Sequence, residues 1–212
     1  MEYISLAKHF LKGHGVILGS ASPRRRELLK LLVPEFAVLT SAEVDETFPA
    51  DMPHPEIPEY LSKIKAAAFK ENVMDGDILI TADTMVLVDD KIMGKPADVD
   101  EAVRMLKALS GRNHTVITGV TVMMDGHTES FSESTTVYFR DLTDEEINLY
   151  VENCQPYDKA GAYGIQEWIG AVGITHIDGC FYNVMGLPLH RLYECVKKMA
   201  DNLPGHSEDF QG

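Results

Sequence analysis

The segment Val16-Ile17-Leu18-Gly19-Ser20-Ala21-Ser22-Pro23-Arg24-Arg25-Arg26 passes from a strand pattern to a helix pattern within a few residues. The apolar run 16–18 reads as a short strand that stops at Gly19, and a helix is expected over 23–32. Ser22 supplies the N-cap oxygen, and Pro23 suits the first helical position, where its missing N–H is no loss. Small residues fill the turn between them, so an anion can approach the backbone at the positive end of the helix. Arg24 and Arg25 on the first helical turn add guanidinium groups suited to bidentate contacts with phosphate oxygens. Together these features describe a phosphate cradle, although the G-x-x-x-x-G-K-[ST] order of a Walker loop is absent. A capped helix with a solvated basic turn is the plainer reading of the same residues.

Outward from this unit, a second strand over 36–39 leads into the acidic Glu43-Val44-Asp45-Glu46, and the four prolines of 48–58 mark a loop. A helix is expected from there to about Val73, because Leu61, Ile64, Ala68 and Val73 keep near-helical spacing, and this puts Lys65 in mid-helix. The apolar strand 78–80 ends in Ala82-Asp83-Thr84, and the short runs 85–88 and 91–93 flank a turn at Asp89-Asp90. Asp98 and Glu101 predict a capping box for a helix ending near Leu109, with Gly111 as its stop. A long hairpin follows, 116–124 and 129–139 around Asp125-Gly126. Thr143 and Glu146 predict another capping box, for a helix to about Asn153. Residues 158–165 read as a Gly-containing loop, 172–177 as a strand, and Pro188 opens a closing helix to Ala200. Two hairpins break any strict β-α-β rhythm, so the expected fold is α/β with a mixed sheet flanked by helices. A single domain over 1–200, two-lobed with a cleft, and a polar tail over 201–212 complete the expectation.

Composition limits partners more than chemistry. A formal charge of −14 argues against a surface for long nucleic acids, which need clustered Lys and Arg to displace counterions. A compact triphosphate can still be held by a few local cations. Three cysteines without a C-x-x-C pair suit a reducing compartment and form neither a disulfide framework nor a zinc pattern. His176 and Cys180 lie four apart but flank the turn-like Asp178-Gly179, which weakens them as metal ligands. Residues 3–19 lack a signal-peptide core, and no run approaches the roughly 18 apolar residues that span a bilayer. Cytoplasm is therefore the expected location, with no membrane partner.

Asp83 draws attention because strand ends in α/β sheets open into ligand crevices, where a carboxylate can hold a metal or take a proton from water. Its plainer reading is a strand-end residue capping Thr84. Asp45 and Glu46 offer oxygens of the kind hard divalent ions prefer, or simply a solvated loop. Lys65, beside three alanines, and Lys95, between Gly94 and Pro96, could offset charge on a phosphoryl group, or face solvent as surface lysines do. The segment Asp158-Lys159-Ala160-Gly161-Ala162-Tyr163-Gly164-Ile165-Gln166 has neither helical nor strand period and suits a binding loop, where the Gln166 amide could meet a base edge. Residues 183–188 read as a turn into the last helix.

Taken in order, these blocks resemble the Maf family of nucleotide pyrophosphatases. The resemblance rests on Ser20-x-Ser22-Pro23-Arg24-Arg25, Asp45-Glu46, Lys65-Ala66, Ala82-Asp83-Thr84, Gly94-Lys95-Pro96, Leu109-Ser110-Gly111 with His114 and Thr118-Gly119, the 158–166 loop, and Asn183-Val184-x-Gly186-Leu187-Pro188. It spans about residues 16–192. It implies an elongated α/β fold with a mixed sheet around a central cleft, similar to the inosine triphosphate pyrophosphatases, and often a homodimer. It also implies hydrolysis of a nucleoside triphosphate to the monophosphate and pyrophosphate with a divalent metal cation, Mg²⁺ or Mn²⁺. Asp83 then matches the catalytic proton acceptor, Glu46 and Asp83 the metal positions, and Ser20, Arg24, Arg25, Lys65 and Lys95 the positions that handle the triphosphate. Arg24, Thr84 and Gln166 match the subgroup acting on dTTP and UTP, whereas a sister subgroup acting on 7-methylguanosine triphosphate carries a bulky aromatic and acidic residues instead. Three alternatives stay open: a modified or purine triphosphate as substrate, a non-catalytic nucleotide-binding regulator of septum formation, and a general phosphatase.

Overall fold

The structure, a computed structural model, describes residues 10–40 and 44–202. The N-terminal opening before residue 10, Glu43, and the polar tail from 203 onward lie outside the described residues. The run 16–18 forms strand β1 (Gly15–Gly19), and Ser22 caps helix α1 (Pro23–Lys30), its Oγ accepting the Arg25 N–H at 3.4 Å. Strand β1 lies parallel to β2 (Ala37–Leu39) on one side and to β3 (Asp77–Val88) on the other. All later pairings are antiparallel: β3 with β4 (Lys91–Met93) and β5 (Asn113–Met124), β5 with β6 (His127–Phe139), and β6 with β7 (Ile174–Asp178). Among the described residues this makes one seven-stranded mixed sheet, ordered β2-β1-β3-β5-β6-β7, with β4 added to β3.

Alternation along β3 distributes the cores. Leu79, Met85 and Leu87 point to one face and Ile78, Ile80, Ala82 and Val86 to the other, as a period of two requires. Helix α2 (Ile57–Phe69) covers the first face with Ile57, Leu61, Ala66 and Phe69. The second face carries two separate clusters. Leu28 and Leu29 of α1 and Leu192 and Val196 of the closing helix pack over Ile78 and Ile80. Farther along, Leu106 and Leu109 of α3 (Val99–Leu109) and Ile147 and Val151 of α4 (Asp144–Cys154) pack over Val86 and Val88. Two lobes thus share one set of long strands.

Several boundaries differ from the sequence expectations. The strand holding Asp83 does not end there: β3 runs unbroken to Val88 because β5 pairs with it from Ile78 to Leu87, so Asp83 sits in mid-strand. Helix α2 stops at Phe69 and a 3₁₀ turn, Lys70–Asn72, completes the segment to Val73. Helix α1 stops at Lys30 rather than residue 32. In α3 the Asp98 side chain accepts the Glu101 N–H as expected, but Glu101 reaches back to the Ala97 N–H at 2.7 Å instead of to Asp98. The Thr143–Glu146 box is reciprocal in α4. Helix α5 (Trp168–Gly173) occupies what read as the start of a strand, so β7 begins at Ile174. Helix α6 (Phe181–Met185), stopped by left-handed Gly186 (φ 109°), replaces the expected turn, and α7 (Leu189–Asn202) closes the described chain.

One close approach fixes α2 on the sheet. Gly119 of β5 sits beside Asp83 in the ladder, and a Cβ there would overlap Pro58 C and the Glu59 N and Cα of α2. Two residues along the same face, Thr121 Oγ1 and Ser62 Oγ are 2.7 Å apart, and the Thr81 hydroxyl donates to the Ser62 carbonyl at 2.7 Å. Only glycine lets backbone and backbone meet there. Gly119→Ala should therefore destabilise by about 3 kcal/mol, the upper end of overpacking costs. For a chain of this size that is a fall of roughly 6–12 °C in melting temperature by circular dichroism.

Candidate active site

The ladder contacts of β3 leave a gap. Parallel pairing with β1 ends at Leu18 with Ile80, and antiparallel pairing with β4 begins at Val86 with Met93. On that edge residues 81–85 have no strand beside them among the described residues, and an open cleft of about 740 Å³ occupies the space, within the usual size range of ligand sites. Because side chains alternate, Asp83 enters the cleft from the α2 face and Thr84 from the opposite face. The turn after β1, with Ser20, lines its other wall. The cradle and the carboxylate that the sequence singled out are therefore parts of one cleft.

On the α2 face, Lys65 is two helical turns from the Gly119 contact and projects to Asp83. Its Nζ lies 2.5 Å from Asp83 Oδ1 and 2.9 Å from Glu46 Oε1. Two carboxylates thus converge on one cationic centre. The Asp83 side chain is 16% exposed and that of Glu46 58%, so the first is walled in while the second hangs over the mouth. Among the described residues no group of three or more His, Cys, Asp or Glu side chains could hold a metal by itself. That covers His176 and Cys180 as well as Asp45, whose Oδ1 accepts the Thr47 N–H within its own loop. The donor set at Asp83 and Glu46 still fits a hard cation that completes its shell with water and phosphate oxygens, as Mg²⁺ commonly does.

The other face is organised by Arg25. Its Nε donates to the Gly186 carbonyl at 2.8 Å, Nη1 to the Ala82 carbonyl at 2.8 Å and to Ser20 Oγ at 3.4 Å, and Nη2 to Thr84 Oγ1 at 2.9 Å. Burial pulls this guanidinium below its ordinary value, the Asp83 charge opposes that shift, and Arg24 adds to it. With four of its five N–H directions in use, Arg25 mainly pins the cradle, β3 and Gly186 together, and one N–H has no partner among the described residues. Thr84 Oγ1 also pairs with Thr118 Oγ1 at 3.0 Å, which fixes its rotamer.

Arg24 crosses the cleft to the 158–166 loop, where its Nη1 lies 2.6 Å from Asp158 Oδ2. Lys159 holds the second oxygen, Asp158 Oδ1, at 2.7 Å. Partial burial works to raise the Asp158 pKa, but the hydrogen bonds from Lys159 and Arg24 outweigh it and leave the group below the ordinary carboxylate range. Gln166 lies exposed on the cleft wall, and Lys95 faces the opening with no side-chain partner among the described residues. Among the described residues, the charged groups lining the cleft are five cations (Arg24, Arg25, Lys65, Lys95, Lys159) against three carboxylates (Glu46, Asp83, Asp158). The cleft is thus locally basic within a chain of net charge −14, as an anion site requires.

Sequence reasoning did not single out Lys159, Tyr163 or Asn183 individually. Asn183 is fully buried, its Nδ2 donating to the Val116 carbonyl at 3.0 Å and Thr135 Oγ1 at 2.9 Å, so it fixes α6 to the sheet. Tyr163 lines the cleft with its ring, and its hydroxyl lies 2.6 Å from His114 Nε2 in the core behind. The sequence signal for Tyr163 was its place in an aperiodic loop of small residues.

The described fold is similar to that of the Staphylococcus aureus Ham1 protein, with a TM-score of 0.51 and 16% identity over 87% of this chain and 99% of that one, which places the chain in the same class of mixed-sheet α/β fold. Residues 15–199 match the Maf-like protein family, and the chain belongs to that family. Relatives named dTTP/UTP pyrophosphatase include those of Porphyromonas gingivalis, 48% identical over 91% of this chain and 98% of the relative, and of Parabacteroides distasonis, 49% identical over 88% and 97%. Another, from Bacteroides thetaiotaomicron, is 48% identical over 89% and 98%.

Burial brings the His114 imidazole down to about 4 from an ordinary 6.5. A depressed histidine is charged more readily in the unfolded chain, so its contribution is fully present above pH 6.5 and is lost as pH falls toward 4. The difference is on the order of 3 kcal/mol. His114→Asn should therefore flatten the pH dependence of urea-unfolding free energy between pH 6.5 and 4 relative to wild type.

Proposed function

We propose that the protein hydrolyses dTTP and UTP between the α and β phosphates, releasing the nucleoside monophosphate and pyrophosphate. The observation that supports this most is the joining of three chemistries in one cleft: a helix-start cradle, a carboxylate pair around Lys65, and a loop presenting Gln166. Relatives sharing nearly half of its residues carry that activity in their names.

In this reading the polyphosphate lies along the turn at Ser20 with Arg24 and the free Arg25 donor beside it, and Lys95 meets the distal phosphates from the opening. Arg24 exchanges Asp158 for a phosphate oxygen as the ligand enters. Asp83 orients a water for in-line attack on the α-phosphorus and takes its proton, a role that its walled-in position in the cleft suits, while Lys65 holds the carboxylate in place. Lys65 stays at the reacting centre, where its charge offsets that on the equatorial oxygens. Glu46 and Asp83 are the groups that would hold Mg²⁺ or Mn²⁺. Such an ion, when bound, acidifies a water and screens phosphate charge. On the base side, Thr84 and Gln166 flank the space left for a pyrimidine.

The same family membership supports two lesser parts of the proposal, a cytoplasmic location and a homodimer. No helix among the described residues is long and apolar enough to cross a membrane.

A panel of dTTP, UTP, CTP, purine triphosphates and modified nucleotides, with both products identified, is expected to give pyrophosphate and monophosphate fastest from dTTP and UTP. Free phosphate, or tight binding without turnover, would overturn the reading. In the same assay Asp83→Asn should lower turnover about a hundredfold or more at saturating divalent cation, with wild-type melting behaviour. EDTA should abolish wild-type turnover, and added Mg²⁺ or Mn²⁺ should restore it.

A further inference from the structure

The turn that carries Gln166 is fastened from behind by a single phenol. Residues 164–167 close on themselves, the Glu167 N–H donating to the Gly164 carbonyl at 3.0 Å. Tyr150, on α4 and 1% exposed, reaches both ends of this turn with one oxygen. Its Oη accepts the Gly164 N–H at 3.1 Å, and its O–H donates to Glu167 Oε2. Glu167 Oε1 lies 3.1 Å from Lys159 Nζ, and Lys159 in turn holds Asp158, the partner of Arg24. A continuous chain of polar contacts thus runs from the cradle to the turn.

Within the four residues, the first and last are tied down while Gln166 lies exposed toward the cleft. Gly164 is close to the same side chains: a Cβ would stand 2.8 Å from Glu167 Cδ and 3.0 Å from Gln166 Nε2, so any side chain there would displace them. Tyr150 and Glu167 do not line the cleft themselves, although Gly164 and Gln166 do. Burial, reinforced by Glu167, pushes the Tyr150 phenol far above its ordinary value, so it stays a donor across the whole working range. The clamp is made by side chains that a ligand does not need to touch.

We infer that Tyr150 and Glu167 are specificity-positioning residues, holding the Gly164–Glu167 turn in the conformation that aims the Gln166 amide at the nucleotide base. The inference rests on the reading of the cleft as a pyrimidine nucleoside triphosphate site. A side-chain amide discriminates between bases only when its carbonyl and NH₂ are aimed, since a freely turning amide meets every base edge equally well. Releasing the clamp therefore degrades base recognition first and leaves the phosphate chemistry at Asp83 in place.

Tyr150→Phe keeps the ring in the core and removes both contacts. Pyrophosphate release is measured for dTTP, UTP, ATP and GTP, with kcat and KM separated and a thermal melt for each variant. For dTTP and UTP, kcat/KM should fall about tenfold, mostly through KM, the size expected for losing aligned hydrogen bonds. ATP and GTP should change less than about twofold, so that the pyrimidine preference shrinks. Glu167→Ala should reproduce this loss, and Glu167→Gln, which still accepts from the phenol, should restore most of the preference. If Tyr150→Phe fails to fold, the two Glu167 variants carry the comparison. Unchanged preference in the folded variants, or an equal loss for all four nucleotides, overturns the inference while the proposed function stands. A wild-type protein without pyrimidine preference removes the proposed function, and this inference with it.

Discussion

Between Ile80 and Val86 the outer edge of β3 runs without a neighbouring strand among the described residues, and most of the site follows from that gap. Backbone carbonyls and N–H groups on a bare edge need partners, because leaving them unmade is costly once water is excluded. Arg25 supplies one by donating to the Ala82 carbonyl, and the cleft leaves the rest open to water or a ligand. A fully paired β3 would have closed the cleft. Continuous pairing with β5 on the other side keeps the exposed stretch straight, so Asp83 and Thr84 keep opposite orientations into the same space.

That arrangement depends on α2 lying close to the sheet. The backbone contact over Gly119 sets the height of the helix, and the Ser62, Thr81 and Thr121 hydroxyl contacts set its rotation. Height and rotation together decide whether Lys65 reaches Asp83. A lysine on a helix a few ångströms higher would lie in solvent, with its charge screened and its four-carbon stem free to wander. The α2 face is therefore stiff where the chemistry is, and Glu46 is its exposed member.

Much of this was legible in the sequence, for identifiable reasons. The Ser22 cap, Pro23 and the small residues before them are local signals, and the cradle depends on nothing farther away. The mixed sheet followed from the two hairpins, whose turns at Asp89-Asp90 and Asp125-Gly126 adopt positive φ as required. The sequence points to a strand end at Asp83 because Ala82-Asp83-Thr84 interrupts an apolar run. The strand in fact continues, and what ends beside it is β1. No local pattern reports a neighbour's length. Helices α5 and α6 are six and five residues long, too short for helical periodicity to emerge, and α5 contains Gly170 and Gly173, which lower its propensity. The structural duty of Arg25 was hidden for a related reason: its acceptors at Ala82 and Gly186 lie 57 and 161 residues away.

Pairing of like with unlike in the cleft explains how so acidic a chain can handle a polyanion. Three of the five lining cations are held by carboxylates on the protein: Lys65 by Asp83 and Glu46, and Arg24 and Lys159 by Asp158. Each such pair keeps a cation aimed without a ligand, so less ordering remains to be done when an anion arrives. On the proposed function the ligand competes with the Asp158 carboxylate for Arg24, and greater charge on the ligand helps it in that competition. On the same reading, selectivity for a long anionic tail would begin at these ion pairs.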